Sequence, residues 1–329
     1  MVPLSPLDPR WGFVCGRVSA CEGRLLSEDF FFTLASHVNP EDVLRQLNDT
    51  ALREYVTPGA DWEDWSAVID RYFHTQVRSI RHDCPRPEVA DWFILRDDYQ
   101  NLKHAVLGDG DYPFPMLNVS EEQLASVAKG DASPLPRPFK DAAARAIGVL
   151  ESTRNRAWVD LALDGAFLRH LLELTDAVDV PLIELYSREY TLARSVFALW
   201  RTHRSGHDMR RFQQFALPIG EATPVLNALV AAGDPKNWGD ILTGRIGELF
   251  REASATPDGE EVPRFEDMTS NYLVEIARQG RGQVAGPERV FCYLRALASE
   301  AHNLKLVVCG KLSSIDSTVL KRRLRKKSA

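Results

Sequence analysis

The chain has 329 residues, enough for two or three cores of about 100 to 150 residues each. Apolar residues make up 44% and charged residues 26%, which is the usage of a folded globular protein and excludes a disordered or fibrous one. With 46 acidic against 40 basic residues the formal net charge is -6, which offers no overall attraction to nucleic acid.

At the N-terminus, MVPLSPLDPR lacks the basic-then-apolar layout of a secretion signal. Nowhere does an apolar run approach the roughly 18 residues of a membrane-crossing helix, so any work at a membrane is expected from outside the bilayer. Five cysteines, odd in number and never spaced C-x-x-C, argue against a disulfide framework or a structural zinc site and fit a reducing compartment.

Helical periodicity then dominates. Trp11-Gly12 and Cys15-Gly16 leave the start of the first helix open, and SEDFFF predicts a second start at Ser27. From Pro87, apolar residues recur at Val89, Trp92, Leu95, Tyr99, Leu102 and Val106 until Gly108 stops the run. This helix carries Asp97, Asp98, Gln100 and Asn101, which resemble an aspartate-rich metal motif. A hard cation needs several oxygen ligands, however, and the chain offers no facing carboxylate cluster: Asn48-Asp49 is followed by Leu52 and Val56. Asp98 and Asn101 are instead expected on the helix surface, bonding each other at three-residue spacing.

Further along, Ser120 and Thr223 are predicted N-caps of helices ending at Gly130-Asp131 and Gly233-Asp234, and DGAFL predicts a helix start at Asp164. RQGRGQVAG, Arg278 to Gly286, reads as a mobile loop. After Gly286-Pro287 a helix follows with Val290, Leu294, Leu297, Ala301, Leu304 and Val308 on one face and Gly310 at its end. The basic run Lys321 to Lys327 reads as a solvated tail. No alternating run closed by a hairpin turn is present, so the fold class is all-α.

An internal repeat with a period of about 100 residues organises these elements. Relative to Asn101, Leu95, Leu102, Val106 and Gly108 stand at the same offsets as Leu297, Leu304, Val308 and Gly310 relative to Asn303. An acid precedes each asparagine by three (Asp98, Glu300) and a lysine follows by two (Lys103, Lys305). A weaker copy centres on Thr191, with Leu185, Leu192 and Val196 kept but Arg188 in the acid's place and Ala198 in the glycine's. Three related helical units are expected, over 1–116, 117–217 and 218–329.

Nothing assembles into an active site. Gly310-Lys311 is followed by Leu312 and has Lys305 where a P-loop needs glycine; no G-x-G-x-x-G follows a strand, and H-E-x-x-H and G-x-S-x-G are absent. His203 and His207 fall across a helix end, and Cys292 and Cys309 read as small buried apolar groups. No catalytic, cofactor-binding or metal residue is assigned, and a non-catalytic protein without cofactors is expected.

Three stretches, FVCGRVSACEGRLLSEDFF, FILRDDYQNLKHAVLG and GPERVFCYLRALASEAHNLKLVVCGKL, together resemble the C subunit of bacterial and archaeal V/A-type ATPases, the counterpart of the d subunit in the eukaryotic vacuolar enzyme. The resemblance implies three similar helical domains about a pseudo-threefold axis, forming a funnel seated on the membrane proteolipid ring and receiving the end of the central shaft. It implies a cytoplasmic rotor part coupling ATP turnover to proton or sodium movement, with the shaft and ring as partners, membrane contact only through the ring, and no nucleic acid. Asn101, Lys103, Asn303 and Lys305 are the candidate partner contacts. A helical-repeat adaptor for unrelated soluble proteins is the alternative, and an all-α enzyme using the Asp-rich helix on a diphosphate is a third reading.

Overall fold

The computed structural model describes residues 2–56, 64–257 and 259–325, and every regular element among these is a helix. In chain order the helices are α1 (Gly12–Glu22), α2 (Glu28–Ser36), α3 (Pro40–Asn48), α4 (Trp65–Asp83), α5 (Glu88–Leu107), α6 (Glu121–Ala128), α7 (Phe139–Thr153) and α8 (Arg156–Val178). They continue with α9 (Pro181–Arg204), α10 (Arg210–Phe215), α11 (Thr223–Ala232), α12 (Trp238–Ile241), α13 (Gly244–Ser254), α14 (Glu261–Arg278), α15 (Pro287–Leu312) and α16 (Ser317–Arg323). The chain divides into two compact units: one of Met1–Phe93, Val180–Ile183 and Val274–Ala329, the other of Ile94–Asp179 and Glu184–Leu273.

The first unit is built around α15, against which α1, α2, α3 and α4 pack. Its sequence explains the position. Val290 through Leu297 are all buried, so the helix is enclosed on every side over that stretch, where the spacing predicts a single apolar stripe. Helix α4 shows the stripe in its ordinary form, with Val68, Ile69, Tyr72, Phe73, Val77 and Ile80 buried. Phe291 meets Trp92 and Phe93 at ring separations of 5.4 and 4.9 Å. α15 runs two residues past Gly310, because that glycine leaves room for Leu320 of α16: a Cβ there would lie 2.4 Å from a Leu320 methyl.

Enclosed charges of this unit are met in different ways: Arg295, 6% exposed, donates to the Ser299 hydroxyl rather than to a carboxylate, whereas Arg289 has an ionic partner that offsets the cost of burial. Arg289 donates to Glu22 at 2.6 Å, with both side chains under 15% exposed. The chain's start is strapped to α15 by Ser5 N–H, which donates to Glu288 Oε1 at 2.5 Å. Residues Arg278 to Gly286, expected as a mobile loop, are ordered: a 3-10 turn over Gln279–Gly282 packs on α15, where a Cβ at Gly280 would come within 2.3 Å of the Glu288 carbonyl. The basic tail also departs from expectation, since Lys321 to Arg323 close α16 and Leu320 is buried; Lys326 and Lys327 lie outside the described residues.

In the second unit α7 and α8 form a hairpin, turned at Arg154 (φ 51°) and capped at Asn155, whose side chain accepts from Ala157 N–H at 2.9 Å. Asp164, expected to start a helix, lies inside α8. The neighbouring Gly165 shows why Asp-Gly occurs there: a Cβ would sit 2.3 Å from the Ala216 carbonyl oxygen, so only glycine admits the segment that follows α10. Arg169 holds the segment by donating to the Ala216 and Pro218 carbonyls at 2.9 Å each. Trp200, Trp238, Phe250 and Phe265, from α9, α12, α13 and α14, form an aromatic cluster.

Ser27 and Ser120 cap α2 and α6 as expected, Ser120 through a reciprocal box with Gln123. Thr223 does not cap: a short 3-10 turn over Gly220–Ala222 precedes α11, and the Thr223 hydroxyl instead accepts from Ile219 N–H at 2.8 Å.

Candidate partner-binding site

Asn101 lies on α5 and is 1% exposed. Its Nδ2 donates to the Phe114 carbonyl at 2.9 Å, and its Oδ1 accepts from Phe114 N–H at 3.1 Å. A primary amide carries a donor and an acceptor side by side, so it can close on one extended residue as a neighbouring strand would. Residue 114 belongs to a connection without regular structure, and the side chain supplies the partners that its backbone lacks. One turn earlier, Asp98 accepts from the Asn118 backbone N–H at 3.3 Å and from its Nδ2 at 2.7 Å. The expected surface bond between Asp98 and Asn101 is thus replaced: both are buried, and both anchor the following connection.

In the first unit the second copy does the same. Asn303 Nδ2 donates to the Arg325 carbonyl and Asn303 Oδ1 accepts from Arg325 N–H, both at 2.9 Å. Glu300, at the acid position, accepts from the Tyr72 hydroxyl at 2.8 Å and from Leu26 N–H at 2.5 Å. Burial and the Glu300 charge push the Tyr72 phenol far above its usual range, so it remains a donor.

The two lysines are paired as well. Lys103 Nζ lies 3.3 Å from Asp160 and 3.6 Å from Asp164 on α8, and Lys305 Nζ lies 2.6 Å from Asp70 on α4. Asn101 and Lys103 therefore share one helix of the second unit, and Asn303 and Lys305 one helix of the first. Offsets in sequence found these positions; the backbone groups they serve carry no sequence signal.

Each pair borders a concavity within its own unit. Asn303 lines a mostly apolar pocket of about 230 Å³ with Phe31, Phe32 and Leu324. Lys103 lines a larger cleft of about 410 Å³ between α5, α8, α9 and α10. On α9, Thr191 holds the asparagine position and is buried, but its hydroxyl has no hydrogen-bond partner among the described residues. Ser195, one turn on, has the same status and lines the cleft. The middle copy thus keeps the apolar template without the clamp.

An all-α protein organised on a repeated helix, whose polar side fastens its own connections, is what fold and site define. The chain belongs to the ATP synthase (C/AC39) subunit family, whose model matches residues 14–323. It is similar to the C subunit of the V-type sodium ATPase of Enterococcus hirae, at 22% identity over 325 residues that cover 92% of this chain and 94% of that protein. The resemblance carried by the three sequence stretches therefore holds, and it makes this chain a subunit of an ATPase complex.

Proposed function

We propose that this chain is a non-catalytic central-stalk subunit of a V/A-type rotary ATPase, joining the shaft to the membrane proteolipid ring and coupling ATP turnover to proton or sodium transport. The observation that carries the reading is the family match, which runs through both units from residue 14 to residue 323. The physical chemistry agrees. A torque-bearing part must resist deformation, and here irregular segments are clamped to long helices at Phe114 and Arg325. The part works in the cytoplasm, held to the membrane complex through the ring, and no helix among the described residues is long and apolar enough to cross a membrane.

On this reading the three repeats, 1–116, 117–217 and 218–329, are domains of a pseudo-threefold funnel. Of the candidate contacts Asn101, Lys103, Asn303 and Lys305, the two lysines keep exposed side-chain surface and are the ones proposed for partner subunits, while the two buried asparagines hold the backbone of their own unit. Native mass spectrometry of the tagged protein, purified from its own membranes in mild detergent, tests the role. One copy with a proteolipid ring, shaft and nucleotide-binding head is the expected composition; a lone chain, or only unrelated soluble partners, would refute it and favour an adaptor.

A further inference from the structure

The cleft of the second unit has a composition that its own unit does not neutralise. Four cations line it, Arg96, Lys103, Arg194 and Arg201, against two carboxylates, Asp160 and Asp164. Those carboxylates are taken by Lys103, and Arg194 pairs with Glu266 at 3.2 Å. Arg96 and Arg201 remain exposed, with no carboxylate in ion-pair range among the described residues; Arg201 lies only over the Phe197 ring at 5.5 Å. In a chain of net charge -6, two unpaired arginines converge on one concavity.

A second observation is independent of charge. Ser195 is 1% exposed, lines the cleft, and its hydroxyl bonds nothing among the described residues. A buried hydroxyl without a partner costs free energy unless something fills the site. Guanidinium groups can only donate, and a hydroxyl can, so the wall asks for an acceptor; the planar fork of arginine fits a carboxylate through two parallel bonds.

We infer that this cleft receives acidic side chains from a segment of a neighbouring subunit of the ATPase complex, an inference that rests on the role proposed above. Its volume, about 410 Å³, is within the range of about 300 to 1,000 Å³ usual for occupied sites. The lining arginines sit on the flanks of α5 and α9, where backbone N–H groups are spent within the helix, and at the start of α8 the Ala157 and Trp158 N–H groups are taken by Asn155, so they offer no ready cradle for a small free oxyanion. Trp158, Leu161 and Phe212 add apolar wall that a peptide side chain covers and a bare anion does not.

The test reloads an ATPase complex stripped of this subunit with the full-length chain, as wild type, as Arg96→Gln/Arg201→Gln, and as Arg96→Glu/Arg201→Glu. Charge reversal is expected to weaken rebinding by roughly tenfold or more, the neutral variant to fall between, and the wild type to show the steeper loss with rising salt. Both arginines are exposed, so the free variants are expected to melt as the wild type does, which separates lost contact from lost fold. Charge-reversed protein that rebinds like the wild type would overturn the cleft's role while leaving the subunit's place in the complex intact. Wild-type protein that fails to rebind would overturn both. Tripolyphosphate that raises the melting point of the wild type but not of the reversed variant, with rebinding unchanged, would make this a small-anion site and refute the acidic segment.

Discussion

The side chain of Asn303 holds both backbone polar groups of Arg325, as that of Asn101 holds both of Phe114. Each asparagine therefore fixes an irregular segment whose backbone groups it pairs as a neighbouring strand would. Replacement by alanine strands one N–H and one C=O, at a cost of about 1–3 kcal/mol. Hydrogen exchange reads this site by site. Asn101→Ala is expected to speed exchange at the Phe114 amide and leave Arg325 protected, and Asn303→Ala to do the reverse. Equal protection in both variants would show that the clamps are dispensable.

Two glycines in helices of the second unit call for opposite outcomes. Gly165→Ala places a methyl 2.3 Å from the Ala216 carbonyl and is expected to destabilise by about 2 kcal/mol or more. Gly148, exposed within α7 and with nothing within 4 Å of its Cβ position, is expected to stabilise by about 0.5–1 kcal/mol on mutation to alanine. Melting points of the two variants on either side of the wild type verify both.

His170 lies between the Tyr99 and Phe139 rings, with Tyr99 Oη 3.3 Å from its Nδ1. Burial lowers its pKa to about 4, while an unfolded histidine titrates near about 6.5. Between those values the unfolded chain binds a proton that the folded chain refuses, so this group's contribution is complete above about pH 6.5 and is lost as pH falls toward 4. The His170 ring resonance, followed by NMR, is expected to titrate near pH 4. His170→Phe is expected to flatten the fall in stability across that window.

Cysteine reactivity distinguishes position within one helix. Cys309 on α15 is exposed, whereas Cys292 is buried and its thiol is pushed up to about 11 by burial. Under native conditions an alkylating reagent is expected to label Cys309 rapidly and Cys292 only on unfolding, with peptide mass spectrometry counting the adducts. Rapid native labelling of Cys292 would contradict the enclosed position of α15.

Much of this protein is legible in its residues alone. The period of apolar side chains locates α5, predicted from Pro87 to Gly108 and observed over Glu88–Leu107, because a helix repeats every 3.6 residues whatever surrounds it. The asparagine offsets reveal the repeat, and three stretches bring the family into view. What a period does not contain is the second element that covers the polar side of a helix. Spacing alone therefore puts Asp98 and Asn101 at the surface, although the connection through Phe114 and Asn118 buries them. Asp164-Gly165 has the composition of a helix start, yet packing against Ala216 holds it inside α8. Cys309 occupies a helical position like that of Cys292, and only the neighbours of α15 decide that one faces solvent. The cleft of Arg96, Ser195 and Arg201 lies furthest from sequence: its wall comes from four helices spread over more than a hundred residues, and no local spacing encodes their convergence.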